Sequence, residues 1–141
     1  MRPLLKEKRK VAGFVPFRKK ESGEFEFFMQ MRDENAPVHS NMFSLFGGGV
    51  EPGEDLLTAV IRETKEELEY SPQKLVYLSD FVTLNATFSI FIEEVGADFE
   101  SSIEVREGRY GSFLTFPEMR DVLISPIALL VAEGMSSYLG K

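Results

Sequence analysis

The chain of 141 residues contains no cysteine and a single histidine, His39. Disulfides, thiolate metal sites and cysteine nucleophiles are therefore excluded. No residue reads as a good covalent phosphoryl acceptor: the one histidine, His39, stands in a polar loop beside Ser40 and reads as surface. No apolar run is long enough for a membrane span. Val11–Phe17 is too short and too interrupted for a signal peptide, although Met1–Lys10 is basic, so a cytoplasmic protein is expected. Internal repeats, low-complexity segments and dividing linkers are all missing. One domain over residues 1–141 is the expectation. The net charge of −7 argues against broad binding to nucleic acid, while leaving room for a nucleotide held through metal ions.

Apolar residues make up 43% of the chain, and thirteen are Phe, which suits a packed globule. Val11–Phe17 and Glu24–Met31 read as a hairpin around Lys19–Gly23. Asp33–Asn41 reads as a loop and Met42–Phe46 as a short strand. Gly47-Gly48-Gly49 with Val50-Glu51-Pro52-Gly53 reads as a loop, because adjacent glycines and a Pro-Gly pair break regular structure. Asp55 onward reads as a helix, and the acidic pair Glu54-Asp55 suits its positive N-terminal end. Leu75–Leu84, Thr87–Val95 and Arg109–Phe116 read as strands, with Gly96–Ser102 as a loop. Pro117 starts a helical turn. Ser125 caps a C-terminal helix that starts at Pro126 and runs to about Leu139. The fold class is α+β, a mixed sheet with helices.

In the helix after Asp55, Leu56, Leu57, Val60, Ile61 and Leu68 recur at helical spacing and predict one buried stripe. Thr64 falls in its middle, where its hydroxyl can bond back to the Val60 carbonyl. Glu63, Glu66 and Glu67 stand at i, i+3 and i+4 and share a face. Ala59, one turn earlier, is read as leaving space above them. Three close carboxylates repel, and their pKa values rise. A divalent cation removes that repulsion, and oxygen-only donors favour Mg²⁺ or Mn²⁺ over zinc. A lone E-x-x-E-E would be read as a solvated helix face. Here the glycines upstream, the spacing to Glu54 and the Arg62-Glu63 pair favour a metal site.

Residues 48–70 fit the spacing G-x5-E-x7-R-E-U-x-E-E-x-G-U, where U is a bulky aliphatic residue. Gly48, Glu54, Arg62, Glu63, Glu66 and Glu67 hold the fixed positions. This pattern resembles the Nudix box, and the chain is similar to Nudix (MutT-type) hydrolases. Thr64 stands where an aliphatic residue is usual and Glu69 where glycine is usual. Neither departure removes a carboxylate. The resemblance implies a mixed sheet sandwiched between helices and a metal-dependent hydrolase of a diphosphate linked to another moiety. It also implies Glu63, Glu66 and Glu67 as metal ligands, with the Gly48 carbonyl able to join them. The general base is then one of these carboxylates or a glutamate on a later loop. Glu107, before Gly108, fits that later position, with Glu104 as the alternative. Arg62 is expected to hold the carboxylates and Glu54 to support the loop.

Substrate-contact candidates are Arg32, Phe46, Gly48 and Gly49. Phe14, Phe28 and Phe88 are further stacking candidates, each with core packing as the competing reading. Checked by position, subfamily signatures are missing. Ser71-Pro72-Gln73 does not open the pattern of NADH-type enzymes. Asn85-Ala86 stands where many ADP-ribose hydrolases carry proline. Phe88 is nearest to the tyrosine of diadenosine polyphosphate hydrolases. A nucleoside triphosphate or related small nucleotide remains as substrate, bound by a monomer or homodimer. The alternatives are a nucleotide-sugar hydrolase, an RNA 5′-triphosphate or cap pyrophosphohydrolase using the basic cluster Arg2, Lys6, Lys8, Arg9 and Lys10, and a non-catalytic nucleotide-binding regulator.

Overall fold

The computed structural model describes residues 8–140. Of the basic cluster, Arg2 and Lys6 lie outside the described residues. The sheet is organised by β1 (Arg9–Lys19), whose residues Val11–Phe17 are buried without a break. A strand buried on both faces shows a continuous apolar run rather than alternation. One edge of β1 pairs antiparallel with two partners in succession. Val11–Phe14 meet β4 (Phe46–Gly49), and Phe17–Lys19 meet β2 (Phe25–Met31). The other edge pairs in parallel with β6 (Ala86–Glu94), from Arg9 opposite Ala86 to Phe17 opposite Glu94. Strands β5 (Val76–Val82) and β7 (Tyr110–Thr115) extend the sheet beside β6 and β2. A two-residue strand, β3 (Phe43–Ser44), also pairs with β2. The result is a mixed seven-stranded sheet.

Helix α1 (Leu56–Leu68) covers one face, packing with Ala12, Phe14, Phe28, Phe46 and Phe91. Helix α3 (Pro126–Leu139) covers the other, with Val15, Phe27, Met29, Ile90 and Ile92. Short α2 (Phe116–Met119) joins this second layer through Met119. The expected cap at Ser125 is formed, and Asp55, read as the first helical residue, caps α1 instead. Asp55 accepts from the Thr58 amide at 2.7 Å and Ser125 from the Ala128 amide at 3.3 Å, each satisfying a free N-terminal N–H. Among the described residues, no helix is long and apolar enough to cross a membrane.

Four expectations need correction. First, Gly47-Gly48-Gly49 is not a loop: it is the end of β4, opposite Gly13, Ala12 and Val11. Second, the expected single strand Met42–Phe46 is broken at Leu45 into β3 and β4. Third, Gly96–Ser102 contains a 3-10 turn, Phe99–Ser102. Fourth, the buried face of α1 is rotated from the expected stripe. Leu57 is 52% exposed and Ile61 43% exposed, whereas Ala59, Val60, Thr64, Glu67 and Leu68 are buried. Ala59 therefore packs in the core and does not open space above the carboxylates. Thr64 does sit in the core, and its hydroxyl donates to the Val60 carbonyl at 2.6 Å as expected.

Candidate active site

The glycine strand lies so close to β1 at Gly47 and to α1 at Gly48 that side chains are excluded at both positions. A Cβ on Gly47 would stand 2.2 Å from the Ala12 carbonyl oxygen, and Gly47 adopts a φ of +135°. A Cβ on Gly48 would stand 2.4 Å from Glu63 Oε1. Glycine here is required by close approach, not by a turn. The contact brings the Gly47 amide to Glu67, donating to Oε1 at 2.6 Å.

Glu67 is 3% exposed. Burial pushes its carboxyl well above the ordinary range, and contact with the Glu107 carboxyl pushes it further. Glu63, half-buried, is also raised, first by burial and then by Glu66 and Glu107, with Arg62 opposing. Glu66 lies at the margin, its side chain 59% exposed.

Arg62 binds these elements together. Its Nε and Nη2 grip both oxygens of Glu54, at 2.8 and 3.0 Å. Nη1 donates to Glu63 at 2.9 Å and to Glu66 at 3.4 Å, and Nη2 also reaches the Gly49 carbonyl at 3.1 Å. The bidentate guanidinium holds the Glu54 carboxyl down at about 2, helped by the Glu51 amide. Glu54 thus faces Arg62 and the loop.

The late loop arrives through the open end of α1. The amides of Glu104 and Arg106 donate to the carbonyls of Leu68 and Glu67, at 2.9 and 2.7 Å, satisfying free C-terminal acceptors. Glu69 ends the helix in the left-handed region (φ 50°, ψ 39°), where glycine is favoured, and pairs with Arg106 at 2.7 Å. The clamp delivers Glu107 to Glu67 and Glu63. Glu104 instead faces Arg106 at 3.6 Å and is exposed.

Glu63 and Glu107 open onto a cleft of about 450 Å³, lined by Gly47–Gly49, Arg9, Arg32, His39 and Phe88 among others. Arg32 is tethered at its mouth, donating to the Val38 carbonyl at 2.8 Å and to Gln30 Oε1 at 3.2 Å. Phe46 is corrected as a stacking platform. Its ring is fully buried and lies parallel to Phe28 with centroids 5.6 Å apart, so only its backbone can meet a ligand. Phe14 and Phe28 are core as well, and half-buried Phe88 is the aromatic in the cleft. His39 is not a plain surface residue: it is half-buried in the cleft wall with a φ of 56°.

Among the described residues, no three acidic or histidine side chains stand as a finished metal cage. The donors nevertheless suit a hard divalent cation. They are carboxylate and carbonyl oxygens only, they repel one another, and the glycine backbone at Gly48 leaves the room a side chain would fill.

Solved structures share the architecture. The Nudix domain of Shewanella oneidensis NrtR, complexed with ADP ribose, superposes with a TM-score of 0.76 at 13% identity, covering 96% of this chain and 90% of that one. A structure of MutT, described for Aliivibrio salmonicida and Vibrio cholerae, gives 0.72 at 17% identity, covering 94% and 99%. A Caenorhabditis elegans Ap4A hydrolase binary complex gives 0.67 at 20% identity, covering 94% and 98%. At these identities the likeness shows the fold alone. No curated protein matches the sequence. Residues 7–117 match the sequence profile described as NUDIX domain, so the chain belongs to the NUDIX family.

Proposed function

We propose that the chain, as one Nudix domain, hydrolyses a phosphoanhydride bond in a nucleoside diphosphate linked to a further group, with a nucleoside triphosphate or related small nucleotide as substrate. The observation that carries this reading is the convergence of Glu63, Glu67 and Glu107 at a cleft whose floor is bare glycine backbone. An anionic pyrophosphate would be rejected by these carboxylates alone. Bound Mg²⁺ or Mn²⁺ supplies the positive charge that offsets this repulsion and makes water more acidic near neutral pH. Glu63, Glu66, Glu67, Glu107 and the Gly48 carbonyl would hold the metal.

The remaining parts belong to the chain itself. Glu67, whose carboxyl is raised by burial, or Glu107 beside it is placed to take the proton from an attacking water. Arg62 orients Glu63 and fixes the glycine strand through Gly49. Arg32 and Phe88 offer the cleft a cation and an aromatic face for phosphate and base. Phe88 takes the stacking role expected of Phe46.

Arg9, at the start of β1 beside exposed Lys8 and Lys10, also lines the cleft and gives an RNA 5′-triphosphate some purchase. Arg9 and Arg32 alone do not make a basic groove, so a small nucleotide is favoured. A phosphate-release screen tests the proposal across nucleotides, nucleotide sugars, dinucleoside polyphosphates and 5′-triphosphate RNA. Activity is expected to vanish with a chelator and to return with Mg²⁺ or Mn²⁺. Full turnover in metal-free buffer would sink the metal-dependent reading. Binding of a nucleotide without any turnover would favour a regulator.

A further inference from the structure

Gln30 is 1% exposed, and both ends of its amide are engaged. Nε2 donates to the Glu107 carbonyl at 3.2 Å, and Oε1 accepts from Arg32 Nη1 at 3.2 Å. The packing around it leaves little slack. Gly108 has a φ of +81°, and a Cβ there would stand 2.7 Å from Gln30 Cγ and 2.7 Å from the Met31 carbonyl oxygen. The Arg109 amide closes the same loop onto the Met31 carbonyl at 2.8 Å. A second cavity, of about 270 Å³, adjoins the cleft and shares Arg32 and Glu107 with it, and Gln30 stands in its wall. One buried side chain on a rigid strand thus touches the anchor of the late carboxylate and the head of the cleft arginine.

We infer that Gln30 is a positioning residue, setting the Glu107 carboxylate beside Glu67 and the Arg32 guanidinium at the cleft through opposite ends of one amide. It reaches no reacting atom itself. Its effect is geometric: slack of about 1 Å in a catalytic group can cost about 10²-fold in rate. The two ends separate cleanly by chemistry. A carboxylate at position 30 keeps an acceptor for Arg32 but loses the donor to Glu107. A thioether loses both. The inference rests on the hydrolytic reading above, and the experiment keeps the two apart.

Wild type, Gln30→Met and Gln30→Glu are compared by thermal denaturation, by kcat and KM on the best substrate of the screen, and by calorimetric titration with Mn²⁺ alone. Gln30→Met is expected to lower kcat about tenfold or more and to weaken Mn²⁺ binding about tenfold, as loss of an outer hydrogen bond to a ligand loop does. Its KM is expected to rise. Gln30→Glu is expected to lower kcat with KM unchanged. Folded Gln30→Met with wild-type kcat and Mn²⁺ affinity overturns the inference. So does Gln30→Glu with wild-type kcat, which decides the matter alone if Gln30→Met does not fold. If the wild type binds Mn²⁺ and hydrolyses nothing, the hydrolytic reading falls and the Mn²⁺ arm decides the role of Gln30. If the wild type neither binds Mn²⁺ nor hydrolyses, both fall.

Discussion

Helices α1 and α3 cover opposite faces of one sheet and are built to opposite rules. The buried residues of α3 are Ile127, Ala128, Val131, Ala132 and Met135, all apolar and spaced as a helix face. The buried set of α1 is Ala59, Val60, Thr64, Glu67 and Leu68, of which two are polar and one carries a carboxyl. The apolar residues Leu57 and Ile61 are left in water instead. One layer is arranged to hold the sheet, and the other gives up apolar contact so that carboxylates can be buried against glycine backbone.

Substitutions that strike one layer only can break this contrast. Met135→Ala, in the fully buried middle of the α3 layer, is expected to cost about 2–5 kcal/mol of stability, measured by chemical denaturation. At temperatures where the variant is folded, kcat and KM are expected to match wild type. A large kcat loss there would show that the two layers are not separable.

Glu67→Gln strikes the other layer. The expected loss in kcat is at least about 10²-fold, or about 2.7 kcal/mol of barrier. The fold should gain rather than lose. A carboxyl whose pKa is raised in the folded state opposes folding once pH exceeds its unfolded value, so removing the charge at neutral pH stabilises. Gln also keeps an oxygen for the Gly47 amide. An unchanged rate together with a lower melting temperature would reverse the assignment of roles.

A smaller effect belongs to the Glu54–Arg62 pair, where the sign is opposite. Glu54 is held at about 2 in the fold against 4.5 ordinarily. Its contribution is fully present above 4.5 and disappears as pH falls towards 2. Glu54→Gln should therefore melt below wild type at neutral pH, with the gap closing through that acid window. A gap independent of pH would mean that the carboxylate charge plays no part.

Smallest of all is Leu57→Gln. Exposed Leu57 is expected to change stability by no more than about 0.5 kcal/mol in denaturant titrations. A cost as large as that of Met135→Ala would restore Leu57 to the buried face.

The features legible in the sequence are those with local causes. Asp55 and Ser125 announce helix starts because a cap bonds amides within the next turn. The run Val11–Phe17 announces a strand, whereas the Glu107-Gly108 pair is singled out only by the resemblance to the Nudix family. The features misread have distant causes. Gly47 and Gly48 look like breakers, yet it is Ala12 and Glu63 that forbid a side chain there. Helical spacing places Glu67 at the edge of the apolar stripe, but not its full burial, where the Gly47 amide meets its carboxyl. Gln30 carries no signal in a Phe-rich strand, since its partners lie at Arg32 and in the loop at Glu107. His39 in its polar loop gives no hint of the cleft, because Phe88, the glycine strand and other distant segments share that wall.

The parallel pairing of β1 with β6 also bears on the order in which this molecule can be assembled. On the ribosome β1 emerges before its partners, with β2 and β4 following soon after. Its other edge must wait until Glu94 has been made. Through most of synthesis the innermost strand of the finished sheet is therefore an outermost one, with a row of unpaired amides and carbonyls open to any passing chain. Closing it spans a long loop, whose entropy must be met before the contacts return anything. The glycine strand and the box helix can dock while that edge is still bare, whereas Phe88 and Glu107 join the cleft only with β6 and the loop after it.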